Sequence, residues 1–262
     1  MSGVTMNSFI FEMIFCKRPS KATPKAMAKQ AAICTNHRRG IDIDRYRSTH
    51  RQLTSQRIRF SVHMPQSIEY YFSISSPWAY LGLERLIALG QRTNVTIEPL
   101  PITTIDEHGW IPMKRKSAAR QRYGRAEIGR WSRHLGIAMQ QDRPIDIKDP
   151  TPAARMVVAA DVDGKDALAL SLALQRAYWE RAADIGAPAV RGEIADAMGY
   201  DGRRLLDAES SSAVAAKWQD NRTRAIELGV FGSPTYVFDG ELYWGQDRLD
   251  FLERHVVEGA PA

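Results

Sequence analysis

The strongest constraint in the sequence is an apolar and aromatic strand pattern that leads through a turn of small residues into a helix. The strand pattern covers residues 68–72, and the helix pattern begins behind Ser76 and Pro77. Serine is a favoured N-cap, and proline is tolerated at the first helical position. We therefore predict a strand over 68–72, an N-cap at Ser76 and a helix over about 78–91.

The Ser76 hydroxyl has two interpretations at this point. As an N-cap it accepts a backbone N–H of the first helical turn, and such caps are common. A helix N-terminus also attracts anions through its free N–H groups and its macrodipole, so a thiolate could bind there. The local pattern alone favours the cap.

Strand patterns are unevenly distributed along the chain. A second strand over residues 95–102 completes a βαβ unit, after which residues 112–228 are rich in Ala, Arg, Leu and Glu and indicate helices. Within this block the clearest helix patterns cover residues 167–182, 191–198 and 212–228. Strand patterns return at 235–238 and 242–244 around an Asp-Gly pair, a strong hairpin signal, before a last helix over about 247–257.

Three motifs in this order carry a family resemblance. Residues 75–82 (SSPWAYLG), 229–235 (GVFGSPT) and 239–249 (DGELYWGQDRL) resemble the 2-hydroxychromene-2-carboxylate isomerase family. That family is related to kappa-class glutathione transferases and to DsbA-type oxidoreductases, and the resemblance runs from about residue 68 to about residue 256. It implies an α/β fold: a thioredoxin-like domain with βαβ and ββα parts and a large all-helical insertion. The predicted divisions are a thioredoxin-like domain of residues 64–106 and 229–262 and an insertion of residues 107–228.

The same resemblance implies glutathione as the cofactor and isomerisation of 2-hydroxychromene-2-carboxylate, or of a related intermediate of aromatic-compound catabolism, as the activity. Ser76 would donate a hydrogen bond to the glutathione thiolate, which is the nucleophile. Ser233 would present its backbone to the cysteinyl part of glutathione beside a cis Pro234. Without the motif, a trans bond is the safer prediction, since only about 5–6% of X–Pro bonds are cis. Gln246 and Asp247 would bind the γ-glutamyl end, and Asp247 equally reads as a first-turn helix acid.

Basic residues cluster between positions 114 and 122. Such a run is usually a solvated helix face. The resemblance adds a second interpretation, in which Lys114, Arg115 or Arg122 binds the carboxylate of the substrate. Trp110 marks a departure from the kappa transferases, which have an asparagine near this position that contacts glutathione.

Charge and cysteine are concentrated before the domain. The chain has a net charge of +6, but residues 1–63 hold 12 Lys and Arg against 3 Asp and Glu, a net of +9, which leaves −3 for residues 64–262. Both cysteines, Cys16 and Cys34, lie in the first segment, so the domain has no thiol of its own for disulfide exchange. Without cysteine the domain can form no structural disulfide, which fits a reducing cytoplasm. No run of 18 apolar residues occurs, so we expect no membrane span.

Residues 1–63 are predicted to be a basic and mostly disordered extension, because they have little to bury. Three explanations for them are open: a basic tail for nucleic acid or acidic surfaces, a transit-like peptide, or an over-long start. We favour an over-long start with Met64 as the true first residue, because Met64 directly precedes the first strand.

Two other functions of the domain stay open. A kappa-like glutathione transferase would leave glutathione attached to an electrophile, whereas a non-catalytic thioredoxin-fold module would bind a ligand without turnover. The expected partner is a small aromatic carboxylate, and the resemblance implies a homodimer. The domain's histidines, His108, His134 and His255, lack metal-ligand spacing, so we assign no metal and predict most of them at the surface or in loops. We expect neither nucleic acid nor a membrane as a partner.

Overall fold

A mixed four-stranded sheet lies at the centre of the part of the chain that the structure, a computed structural model, describes: residues 67–140 and 149–259. In chain order the strands are β1 (Ser67–Phe72), β2 (Thr96–Pro101), β3 (Thr235–Phe238) and β4 (Glu241–Trp244). Their order across the sheet is β2-β1-β3-β4, with β1 parallel to β2 and both other pairs antiparallel. The predictions for residues 1–63 and for a start at Met64 lie outside the described residues.

Helices occupy the connection between β2 and β3 and flank it on both sides. The α-helices of the described ranges are α1 (Pro77–Thr93), α2 (Ala118–Leu135), α3 (Thr151–Val162), α4 (Ala167–Arg181), α5 (Pro188–Ala197), α6 (Gly202–Ala208), α7 (Ser212–Glu227) and α8 (Leu249–Glu258). The predicted order of βαβ unit, helical block and ββα unit is confirmed. One boundary is corrected: α8 begins at Leu249, because a 3₁₀ turn over Gln246–Arg248 precedes it.

The central strand β1 is buried on both faces, which explains why its sequence is apolar and aromatic along most of its length. Tyr70 and Phe72 stack with ring centroids 4.4 Å apart in the main core, whereas Tyr71 packs with Leu100 and Val237 in a second cluster on the other face. A strand covered on both faces shows a near-continuous apolar run instead of alternation. This is the pattern of residues 68–72.

The helical block contains a buried ion pair. Arg191 on α5 donates from Nε and Nη2 to the two carboxylate oxygens of Glu209, at 2.9 and 2.8 Å. Its Nη1 donates to the carbonyls of Ile185 and Gly186, at 3.0 and 2.7 Å. The Arg191 side chain is only 3% exposed. The pair therefore joins α5 and the loop before it to the residue that ends α6.

One histidine departs from the expected surface location. His108 and His134 are exposed, whereas His255 on α8 is buried, with its Nδ1 2.8 Å from the Tyr243 hydroxyl. The ring of Phe238 meets His255 edge to face, so this imidazole belongs to the packing of α8 on the sheet.

Within residues 67–140 and 149–259, no helix combines the length and the apolar character that crossing a membrane requires.

Candidate active site

Ser76 is the N-cap of α1, as the sequence predicts. Its Oγ accepts a hydrogen bond from the backbone N–H of Ala79 at 3.2 Å, and Pro77 occupies the first helical position. The half-buried hydroxyl donates to the carbonyl of Ser233 at 3.4 Å. A hydrogen bond of this length is weak, so the Ser76 proton stays available to a stronger acceptor.

The loop that contains Ser233 is joined to the turn before α1. The Ser233–Pro234 peptide bond is cis, as the motif predicts. The Ser233 Oγ accepts the backbone N–H of Ser73 at 2.9 Å, and the Ser233 carbonyl accepts the Ser76 hydroxyl. The fold thus brings Ser76 together with Ser233 and Pro234, two segments that are more than 150 positions apart in the chain.

A further backbone contact brings in the last of the three motifs. The N–H of Gly245 donates to the Pro234 carbonyl at 2.9 Å, and Gly245 has a φ of 105°, which favours glycine. Gln246 is buried, and its Oε1 accepts from Arg85 Nη1 at 3.0 Å. Asp247 has a side chain that is 43% exposed, with its Oδ2 3.3 Å from Arg248 Nη1. Asp247 is therefore the more accessible of the two predicted γ-glutamyl ligands.

The predicted carboxylate-binding residues lie on the segment between β2 and α2 and on α2 itself. Arg115 ends a 3₁₀ turn and is exposed, 3.6 Å from Asp106, and Arg122 is exposed on α2. Only the backbone of Lys114 is described, in the same 3₁₀ turn. Among the described residues, no hydrogen bond or ion pair joins Arg115 or Arg122 to Ser76.

Two exposed aromatic residues flank the cis-proline loop, and the sequence prediction missed them. Phe231 and Trp244 meet edge to face with ring centroids 4.8 Å apart, although both rings are exposed to solvent. Trp244 stands opposite Thr235 in the β3–β4 ladder, and a Cβ on Gly232 would overlap its Nε1 atom. Both residues lie inside the motifs that carry the family resemblance, but only the fold shows that their rings meet.

Gly82 provides the space in which α1 approaches the 3₁₀ turn. A Cβ placed on Gly82 would lie 2.8 Å from the Cβ of Gln246 and 2.8 Å from the hydroxyl of the buried Tyr236. Both neighbours are held by their own surroundings, because Gln246 is bonded to Arg85 and Tyr236 lies in the central β3 strand.

Replacing Gly82 with alanine is therefore expected to destabilise the protein. Overpacking of this kind typically costs about 1–3 kcal/mol, although alanine favours a helix over glycine by about 1 kcal/mol. Gly124 of α2 is the matched control, since its added Cβ would meet only the flexible end of Met113. Urea unfolding should show a lower stability for Gly82→Ala and an unchanged or higher one for Gly124→Ala. Equal stabilities of the two variants would contradict this account of Gly82.

Comparison with known proteins places the fold among thioredoxin-like proteins. The family model of the DSBA-like thioredoxin domain matches residues 67–257. The 2-hydroxychromene-2-carboxylate isomerase of Sphingobium xenophagum is 28% identical over 202 residues, which are 74% of this chain and 100% of the relative. The protein of the same name from Pseudomonas putida is 26% identical over 192 residues, 71% of this chain and 92% of the relative.

Solved structures agree with the family match. A 2-hydroxychromene-2-carboxylate isomerase structure gives a TM-score of 0.61 at 22% identity, covering 74% of this chain and 99% of that chain. The cytosolic disulfide reductase DsbM from Pseudomonas aeruginosa, solved with GSH, gives a TM-score of 0.57 at 19% identity, covering 74% and 98%. The predicted thioredoxin-like α/β domain with a helical insertion is thereby confirmed as the fold.

Proposed function

The chain belongs to the DSBA-like thioredoxin domain family, and on that premise we propose that it is a glutathione-dependent isomerase. Its substrate would be 2-hydroxychromene-2-carboxylate, the compound in the names of its relatives, or a related intermediate of aromatic-compound catabolism. The observation that carries the proposal is the Ser76 hydroxyl, half-buried at a helix N-terminus in a domain without cysteine. Thiol chemistry in such a site requires a thiol from solution. The relative solved with GSH supports glutathione as that thiol.

Groups at this site suit the thiol, the cysteinyl peptide group and the γ-glutamyl end of glutathione. A helix N-terminus and a hydroxyl donor both favour a thiolate over a thiol. The backbone of Ser233 beside the cis Pro234 suits the cysteinyl peptide group, as an added strand would. The exposed carboxylate of Asp247 suits an ammonium group, and Gln246 supports the same turn.

In the proposed mechanism Ser76 acts as a hydrogen-bond donor and not as a nucleophile. By donating to the charged form, it lowers the pKa of the bound thiol. When bound, glutathione would supply the nucleophilic thiolate for a reversible addition to the conjugated substrate, the chemistry that allows rotation about the former double bond. Lys114, Arg115 or Arg122 would pair with the substrate carboxylate and so position the substrate next to the thiol that Ser76 binds.

We expect the full-length protein to isomerise 2-hydroxychromene-2-carboxylate without consuming glutathione, because the thiolate is released at the end of each cycle. Substrate absorbance and free thiol are measured together over many turnovers. S-methylglutathione, which has no thiol, is the control and should support no turnover.

Each other outcome of this experiment identifies a different function. Loss of one free thiol per turnover would identify a transferase instead. Activity without any thiol would remove the role of glutathione. If the protein turns over neither 2-hydroxychromene-2-carboxylate nor an electrophile that accepts glutathione, it is a non-catalytic binding module.

The proposal also implies a compartment. Glutathione is kept reduced in the cytoplasm, so we propose a cytoplasmic enzyme. The small aromatic carboxylate and the homodimer implied by the family resemblance belong to the same proposal.

A further inference from the structure

Arg85 connects α1 to the turn that carries Gln246 and Asp247. Its Nη1 donates to the backbone carbonyl of Gln246 at 3.2 Å and to the Gln246 Oε1 at 3.0 Å. Its Nη2 donates to Asp250 Oδ1 at 3.1 Å. The guanidinium therefore binds both the turn and the first residues of α8, with a side chain that is 32% exposed.

Besides Arg85 and the packing of Gln246 against α1 at Gly82, backbone hydrogen bonds restrain the turn. Neither Gly245 before the 3₁₀ turn nor Arg248 before α8 contributes a side-chain cap. Two backbone hydrogen bonds hold it, from Gly245 N–H to Pro234 and from Arg248 N–H to Gly245, at 2.9 and 3.1 Å. Because Gly245 has a φ of 105°, the chain can change direction there, and the fork of Arg85 fixes the direction that it takes.

Two carboxylates lie near this turn, and each is paired with a different arginine. Asp250 and the oxygens of Gln246 accept from the Arg85 fork. Within residues 67–140 and 149–259, the ion pair of Asp247 is with the exposed Arg248. Burial raises the pKa of the Tyr236 hydroxyl, with Arg85 opposing that rise and Asp247 adding to it, so both charges act on the same buried group.

We propose that Arg85 is a positioning residue that orients the Asp247 carboxylate toward the ammonium group at the γ-glutamyl end of glutathione. This inference rests on the proposed function, since it assigns a role within the same site. Arg85 itself does not touch the ligand in this role. It acts by fixing Gln246 through two hydrogen bonds and by pairing with the Asp250 carboxylate.

The test compares two ligands on the full-length protein by calorimetry at neutral pH. Glutathione is compared with glutaryl-cysteinylglycine, which lacks only the ammonium group, and the measured quantity is the ratio of the two dissociation constants. A charge-assisted hydrogen bond to Asp247 predicts a ratio of about tenfold for the wild type. Arg85→Met should reduce this ratio to about one, mainly by weakening glutathione about tenfold.

Arg92 supplies the matched control. It joins α1 to α8 in the same way, through Nε and Nη2 to Glu253 at 3.3 and 2.8 Å, but it does not contact the 3₁₀ turn. Arg92→Met should lose a comparable interhelical ion pair and keep the wild-type ratio. Arg85→Lys, which retains the charge but not the fork, should give an intermediate ratio, and it serves as the test if Arg85→Met does not fold.

The outcomes separate the two proposals. A wild type that does not bind glutathione overturns the proposed function and this inference with it. A wild type that binds both ligands equally, or Arg85 variants that keep the wild-type ratio, overturn the inference alone. A loss of the ratio in Arg92→Met equal to that in Arg85→Met also overturns it, because any ion pair between α1 and α8 would then have the same effect.

Discussion

Replacing Ser76 with alanine is expected to slow the proposed isomerisation by about 10²–10³-fold, the effect of removing one hydrogen-bond donor from a charged reacting atom. The variant loses the donor that would stabilise the glutathione thiolate, so the pKa of the bound thiol rises and the thiolate fraction at neutral pH falls. Thiolate absorbance and kcat, both measured against pH, should shift together toward higher pH. The shift in pH is the sign that the hydroxyl acts on the thiol.

The same substitution also removes a helix cap, which requires its own control. Loss of a serine N-cap costs about 1 kcal/mol of stability. Ser211 caps α7 in the same way, accepting from Val214 N–H at 3.3 Å, so Ser211→Ala reproduces this loss on another helix. Both variants should lose similar stability in urea unfolding, and only Ser76→Ala should lose turnover. An unchanged rate and thiolate absorbance in Ser76→Ala would leave Ser76 as a cap only.

The features that sequence reasoning predicted correctly depend on neighbouring residues. The N-cap at Ser76 requires only a hydroxyl and the first turn of α1. The hairpin after β3 requires two residues with positive φ, and Asp239 and Gly240 have φ values of 49° and 82°, as a two-residue Asp-Gly turn demands. Both features depend on interactions among four or five consecutive residues, so the local sequence is enough to predict them.

The features that were missed depend on contacts between distant segments. The side-chain oxygen of Gln246 accepts from Arg85, which is 161 positions earlier in the chain, and the motif around Gln246 does not show this contact. Arg85 itself reads as an ordinary helix cation, because no local pattern shows which residue its fork meets. The contact of Phe231 with Trp244 likewise depends on where the loop before β3 meets the end of β4. Hydrophobic periodicity specifies which face of an element is buried, not which polar groups then meet.

Arg191 shows the same limit for stability. In the helical block it is one of many arginines, yet it is buried and makes four hydrogen bonds. Burial raises the pKa of the Glu209 carboxyl, and Arg191 opposes that rise, so the cation offsets part of the cost of burying the anion. Removing only the cation leaves the carboxylate and the carbonyls of Ile185 and Gly186 without their donor.

Arg191→Met is therefore expected to lower the free energy of unfolding by about 3–5 kcal/mol, as measured by urea denaturation. Arg203 is the control, since its i,i+4 pair with Asp207 on α6 is highly exposed and Arg203→Met should change stability by less than about 1 kcal/mol.

A double variant, Arg191→Met with Glu209→Met, should recover most of the loss, because replacing both charges with apolar side chains removes the carboxylate that the single variant leaves without its cation. If the double variant is as unstable as Arg191→Met alone, the two carbonyls, and not the unpaired carboxylate, are what the guanidinium chiefly satisfies. If Arg191→Met is as stable as Arg203→Met, the buried pair does not hold α5 against the end of α6.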